Sequence, residues 1–253
     1  MVRVYLRFYA ELNDFLPPER RQVEFEHPAA DRASAKDVVE SAGVPHTEVD
    51  LILVNGVSVD FAHPVADGDH ISVYPVFESV DISPVVRLRP RPLRNPRFVL
   101  DTHLGRLAGY LRMLGFDALY RNDYDDAEIV RISSAESRII LTRDKGLLMR
   151  NAVTHGYWVR ATRVREQALE VVRRFDLAEQ ARPFTRCTVC NRDLRPVPKE
   201  EVADRLLPKT RLYYQDFAVC DPCGRIYWNG SHYEHMRVVV DWILSEARGG
   251  EGR

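Results

Sequence analysis

Val2, Val4, Leu6 and Phe8 alternate with Arg3, Tyr5, Arg7 and Tyr9. A period of two gives a strand with one apolar face and one wet face. Gln22 to Glu26 repeats the alternation and predicts a second strand. Ser34, followed three residues later by Asp37, predicts a capping-box start for a short helix carrying Val38 and Val39, with Gly43 as its stop. Leu51 to Val54, Asn55-Gly56 and Val57 to Val59 read as strand, turn and strand, because Asn-Gly accepts the positive φ of a type I′ hairpin. Asp67-Gly68-Asp69 turns into a last strand, Ile71 to Tyr74. These residues make a small α+β unit.

Past residue 97 the pattern changes. Phe98-Val99-Leu100 ends in Asp101, and Leu104, Leu107, Ala108, Leu111 and Leu114 follow at helical spacing until Gly115. Phe116 to Tyr120 predicts a second strand, and Ala127, Ile129, Val130 and Ile132 a helix after Asp125-Asp126. Arg138 to Asp144 predicts a third strand, again ending in an acid, and Tyr157 to Val159 with an amphipathic run from Arg163 to Phe175 continues the alternation. Alternating strands and helices imply an α/β fold: a parallel sheet flanked by helices, with its ligand site beyond the carboxyl ends of the strands. Between the two halves, Pro84, Pro90, Pro92 and Pro96 interleave with Arg87, Arg89, Arg91, Arg94 and Arg97. Such a segment is extended, either a solvated linker or a basic arm against a phosphate backbone.

Charge sharpens the division. The 253 residues carry 36 Lys+Arg and 37 Asp+Glu, but residues 1–80 hold 6 basic against 14 acidic, and residues 81–253 hold 30 against 23. An acidic head on a basic body predicts two domains and a polyanionic partner for the second. It also suggests a head that folds over the basic face and competes with that polyanion. At 45% hydrophobic the chain can bury a core, which excludes a disordered protein. No stretch has the roughly 18 to 20 uncharged apolar residues of a bilayer span, and the first residues alternate where a secretory peptide needs a continuous apolar run. The expected location is the cytoplasm, with no membrane partner.

Candidate chemistry sits at strand ends. Asp101 and Asp144 close two strands and Asp125-Asp126 opens a helix near the same edge. Converging carboxylates repel unless a cation lies between them, and Mg²⁺ or Mn²⁺ suits oxygen ligands and can acidify a bound water. Arg106, Arg143 and Lys145 are candidate phosphate contacts, and His103 a candidate for orienting water. Each acid alone equally suits a cap or turn. The four cysteines form two C-x-x-C pairs, Cys187/Cys190 and Cys220/Cys223, the spacing of two knuckles closing a Cys₄ zinc site. Four thiolates leave no open position, so the zinc is structural. Tyr213, Tyr214, Phe217, Tyr227, Trp228 and Tyr233 lie near Arg211, Arg225 and Arg237, a composition suited to stacking on unpaired bases or to packing a small ribbon.

Two resemblances follow. The head, with Val54-Asn55-Gly56, Val59-Asp60 and Asp67-Gly68-Asp69, resembles the ubiquitin-like β-grasp sulfur carriers of thiamine and molybdopterin synthesis. Those carriers end in Gly-Gly, whereas this chain reads Pro75-Val76-Phe77-Glu78-Ser79 and continues. That departure blocks a carrier role and leaves docking or regulation, with the ribosome or another protein as the head's partner. Asp101-Thr102-His103-Leu104-Gly105-Arg106-Leu107-Ala108, Leu111 to Asp117, Asp125-Asp126, Leu141 to Asp144 and Tyr227 to His232 resemble the Mut-seven C-terminal RNase family, over about residues 97 to 243. That resemblance implies a PIN-like nuclease domain followed by a zinc ribbon. It also implies Asp101, Asp126 and Asp144 as metal-binding catalytic acids, with Asp125 and Glu128 as further candidates, and RNA as substrate. The expected organisation is a β-grasp head (1–79), a linker (80–96), a PIN-like domain (97–182), a ribbon (183–243) and a disordered tail (244–253). The expected activity is a Mg²⁺- or Mn²⁺-dependent ribonuclease whose ribbon aids RNA binding. The alternative is a non-catalytic RNA- or ribosome-binding adaptor.

Overall fold

The computed structural model describes residues 1–75 and 96–249. The expected Pro/Arg linker, Pro96 apart, and residues 250–253 lie outside the described residues. Two units are present, one from residues 1–94 with 133–136 and 142–158, the other from 95–132, 137–141 and 159–253.

The head contains β1 (Val2–Phe8), β2 (Phe25–Ala29), α1 (Ala35–Ser41), β3 (Val49–Val54), β4 (Val57–Val59) and β5 (His70–Pro75). Its sheet runs β2-β1-β5-β3-β4, with β1 and β5 parallel and the other pairs antiparallel. The inward row of β1, Val4, Leu6 and Phe8, is buried with Val38, Val39, Ile52 and Val73 in one core. The capping box forms as expected: the Asp37 N–H donates to Ser34 Oγ at 3.2 Å, and the Ser34 N–H to Asp37 Oδ2 at 3.0 Å. Asn55 and Gly56 take φ of 51° and 81°, the hairpin geometry expected of Asn-Gly. The second strand differs, starting at Phe25. Gln22 adopts φ 57° and its N–H donates to Asn13 Oδ1 at 2.6 Å, so a left-handed turn occupies the first residues of the alternating run.

The chain continues through β6 (Phe98–Leu100), α2 (Gly105–Met113), β7 (Ala118–Leu119), α3 (Asp126–Glu136), β8 (Ile139–Thr142), α4 (Lys145–Leu148), β9 (Gly156–Trp158) and α5 (Val164–Arg174). β6 pairs in parallel with β7 and with β8, with Phe98 opposite Ala118 and Ile139. All three β6 residues are buried, as expected of a central parallel strand. Gly115 ends α2 at φ 95°, and a Cβ there would run into the Arg182 carbonyl oxygen.

α4 and β9 belong to the first unit, where they meet the head. The Trp158 N–H donates to Glu48 Oε1 at 2.7 Å, His46 Nε2 donates to the Val153 carbonyl at 2.8 Å, and the Phe15 and Trp158 rings lie 4.8 Å apart.

The last part holds β10 (Arg195–Val197), α6 (Lys199–Val202), α7 (Pro208–Tyr213), β11 (Phe217–Val219), β12 (Ile226–Trp228) and α8 (Ser231–Gly249). The three strands form an antiparallel sheet over Val197, Val202, Phe217 and Val219. α8 corrects the expected disordered tail, because residues 244–249 are helical. Val240, Ile243 and Leu244 form a buried stripe, and Arg173 Nη2 on α5 donates to the Glu246 carbonyl at 2.7 Å. Apolar positions three and four apart bury the helix where composition alone suggested a frayed end.

Candidate metal centre and strand-end carboxylates

The two C-x-x-C turns are built alike. The Cys187 N–H donates to the Arg192 carbonyl at 2.7 Å and the Cys220 N–H to the Arg225 carbonyl at 2.9 Å. Between each pair of ends the chain must turn left-handed, and Asn191 (φ 64°) and Gly224 (φ 69°) do so. Both turns aim their thiols inward. The four sulfurs lie within 4.8 Å of one another, with Cys187 to Cys223 at 3.7 Å and Cys190 to Cys220 at 3.2 Å, and all four cysteines are free. A disulfide needs about 2.05 Å, whereas Zn–S bonds of about 2.3 Å set tetrahedral sulfurs about 3.8 Å apart. The donor set therefore fits zinc. Burial alone would push the Cys187 thiol up, but the Tyr227 hydroxyl and the N–H groups of Cys190 and Val189 bring it down to about 6. Burial pushes Cys190 and Cys220 up, so a cation is what would make all four thiolates together.

Four thiolates exceed the charge of Zn²⁺ by two, and cations stand nearby. Arg112, 4% exposed on α2, donates to the carbonyls of Ala118 (2.8 Å), Thr188 (3.1 Å) and Val189 (2.8 Å). Burial lowers its pKa against the raising effect of Cys187 and Cys190. Asn191 completes the attachment: its Oδ1 accepts from the Ala118 N–H at 3.0 Å and its Nδ2 donates to Asp117 Oδ1 at 2.7 Å. Asp117 also pairs with Arg138 at 2.6 Å. Burial raises the Asp117 carboxyl, but hydrogen bonds from Arg138 and Asn191 outweigh it and hold the group below its ordinary value. Arg112, Asp117 and Asn191 had been given no role of their own, and Tyr227, expected to stack on bases or pack the ribbon, instead bonds the Cys187 sulfur. The signal available was an Asn following C-x-x-C where the second pair has Gly.

The expected acids fall as follows. Asp101 directly follows β6 and is 6% exposed; its N–H donates to the Leu141 carbonyl at 3.0 Å, and the Thr102 hydroxyl donates to its Oδ1 at 3.1 Å. The Tyr120 hydroxyl donates to the Thr102 carbonyl at 3.1 Å, with its ring where a Gly105 Cβ would stand, so glycine at the start of α2 admits the tyrosine that braces this turn. Asp126 is half-buried as the first residue of α3. Asp144 is exposed and caps α4, accepting from the Gly146 N–H at 2.8 Å. Asp101 and Asp126 belong to the second unit and Asp144 to the first. Of the additional candidates, Asp125 accepts from the Glu128 N–H at 2.8 Å, and Glu128 pairs with Arg131 at 2.8 Å, which draws its carboxyl down. Arg106 is exposed on the first turn of α2, His103 and Arg143 are exposed, and the Lys145 ammonium stands 4.9 Å from the Phe15 ring and 4.6 Å from the Trp158 ring.

Comparison with known proteins adds family information. Residues 96–240 match the model of the Mut7-C RNAse domain, and residues 1–81 that of the Mut7-C ubiquitin domain. No curated protein matches the chain. Among solved structures, the small archaeal modifier protein 1 of H. volcanii is 14% identical, covering 30% of this chain and 98% of its own, with a TM-score of 0.24. A putative molybdopterin converting factor subunit 1 from Pyrococcus furiosus is 24% identical, covers 30% and 98%, and has the same TM-score, 0.24. Among the described residues, no helix is long and apolar enough to cross a membrane.

Proposed function

Because the chain belongs to the Mut7-C RNAse domain family, we propose that it is a metal-dependent ribonuclease whose acids are Asp101, Asp126 and Asp144. The observation that carries this reading is the parallel pairing of β6 with β8, Leu100 opposite Leu141. Asp101 follows the carboxyl end of β6 directly, and Asp144 stands two residues beyond that of β8. The carboxyl edge of adjacent parallel strands is where such sheets hold ligands. A Mg²⁺ or Mn²⁺ ion held by these carboxylates would acidify water and polarise the phosphodiester.

The chain's own groups do the rest. Thr102 donates to Asp101 and keeps one carboxylate oxygen oriented. Arg106, Arg143 and Lys145 serve as phosphate contacts that offset charge developing on the non-bridging oxygens. Lys145 is steered by the Phe15 and Trp158 rings of the first unit, so the head acts through the segment that carries Asp144. The ribbon adds RNA-binding surface, with zinc as its structural core. Thiols that must stay reduced to hold zinc support a cytoplasmic location.

The test is cleavage of structured and single-stranded RNAs by zinc-loaded protein in Mn²⁺ or in EDTA, beside Asp101→Asn and Asp144→Asn. Cutting that needs the metal and disappears in both variants is expected. A second reading rests on the cap bonds made by Asp125 and Asp144: if nothing is cut while wild type and variants bind RNA alike, the acids are caps and the protein is an RNA- or ribosome-binding adaptor.

A further inference from the structure

The ribbon contains a cavity of about 360 Å³ that no step of the proposed hydrolysis uses. Its size lies at the low end of ligand sites, roughly 300–1,000 Å³. Tyr227 and Trp228 from β12 line it, with Arg225 just before that strand, and Arg205, Val189 and Leu207 also line it. No Asp or Glu lines it. The Arg205 guanidinium bonds the Gly224 carbonyl, the residue that turns the second zinc knuckle, and has no carboxylate partner among the described residues. The Arg225 side chain has neither ion pair nor hydrogen bond among them. Trp228 is 38% exposed in the folded chain. Its indole Nε1 lies where a Gly230 Cβ would come within 2.8 Å, so the glycine lets one edge of the ring settle against the chain.

A partly open indole and two guanidiniums without acidic partners, in a concave site of this size, match one ligand class: an aromatic base joined to a phosphate. Stacking satisfies the indole, and the phosphate takes the charge of Arg225 and Arg205. We propose that this cavity is a single-nucleotide subsite for unpaired RNA, with Trp228 stacking on the base and Arg225 and Arg205 holding its phosphate. The proposal rests on the RNA reading above and deepens it, because the subsite belongs to the zinc ribbon and not to the carboxylates.

The test uses the full-length, zinc-loaded protein without Mn²⁺ or Mg²⁺, titrated against a fluorescent single-stranded RNA and the same strand with abasic positions. Trp228→Ala, Trp228→Phe and Arg225→Gln are compared, with zinc content measured for each. Base stacking of about 1–3 kcal/mol corresponds to a roughly 5- to 150-fold loss of affinity in Trp228→Ala, largely restored in Trp228→Phe. The abasic strand should bind wild type as weakly as the intact strand binds Trp228→Ala. Arg225→Gln should lower the slope of log K against log salt by about 0.7, one phosphate on a single strand. Equal affinity of wild type and Trp228→Ala at full zinc content overturns the proposal, as does equal binding of intact and abasic strands; Val189 and Leu207 would then be left to a protein partner. Asp144→Asn separates the two readings. If it binds RNA as wild type does and Trp228→Ala does not, the subsite stands whether or not the wild type cuts, whereas cleavage with unchanged binding in Trp228→Ala removes the subsite alone.

Discussion

Single residues hold the second unit together by satisfying buried charge. Asp117 accepts from both Arg138 and Asn191, and Arg138 is only 7% exposed at its side chain. Removing the charge would take the carboxylate from a buried guanidinium that otherwise bonds the Phe98 carbonyl, so Asp117→Asn should destabilise the protein by about 3 kcal/mol at neutral pH, read by chemical denaturation. The pH dependence follows from the depressed pKa of this carboxyl. A group whose folded pKa lies below its unfolded value contributes fully above the unfolded value, near 4, and loses that contribution as pH falls through the folded one. The gap between wild type and Asp117→Asn should therefore narrow below about pH 4. A constant gap would show that the pair contributes through shape alone. Gly115 makes a backbone demand instead. With φ at 95° and the Arg182 carbonyl in the way of a Cβ, Gly115→Ala should cost well over 1 kcal/mol, visible as a lowered denaturation midpoint with unchanged slope.

At the scale of elements, the thiol cluster of the paired knuckles fits a cation, and the strap from α4 to β9 is bonded to the head. Burial disfavours the charged forms of Cys190 and Cys220, so chelating the zinc should unravel the ribbon. The three-stranded sheet of the ribbon has a core of only a few buried side chains, too few to stand alone. Chelation should expose Tyr227 and Trp228 and raise hydrogen exchange in β10, β11 and β12 while β6 and β8 keep their protection. Loss of protection throughout would mean that the ribbon is no separate cooperative element. The head supplies His46 to the Val153 carbonyl. His46→Ala should cost about 1–3 kcal/mol by leaving a buried acceptor unmet, and the raised exchange should centre on Val153 and β9.

For the whole molecule, the charge division between head and body acquires a second meaning. The acidic head suggested a competitor for RNA, yet in the first unit it braces the α4 to β9 segment through Glu48, His46 and Phe15. That arrangement favours a head that positions Lys145. Phe15→Ala, which removes one wall of the cation–π enclosure, should then weaken RNA binding in Mn²⁺-free buffer. Stronger binding at low salt would restore the competitor role.

Local signals were legible in the chain. The alternation of β1, the Ser34/Asp37 cap, the Asn55-Gly56 hairpin and the two cysteine pairs each arise from contacts a few residues apart, and near neighbours leave their mark on sequence periodicity. Arg112, Asn191 and α8 were not legible. Arg112 is a charged residue on a short helix, and its burial is tolerable because the Ala118 carbonyl and two carbonyls more than 70 residues away accept from it. Asn191 acts on Ala118 and Asp117 across a similar span, and α8 is held by α5. Sequence by itself therefore determined most elements of the head and of the parallel sheet, the family, and the four cysteines that cluster. Tertiary structure alone decided which polar groups are buried and what satisfies them, because desolvation and hydrogen bonding are settled by neighbours that only folding brings together.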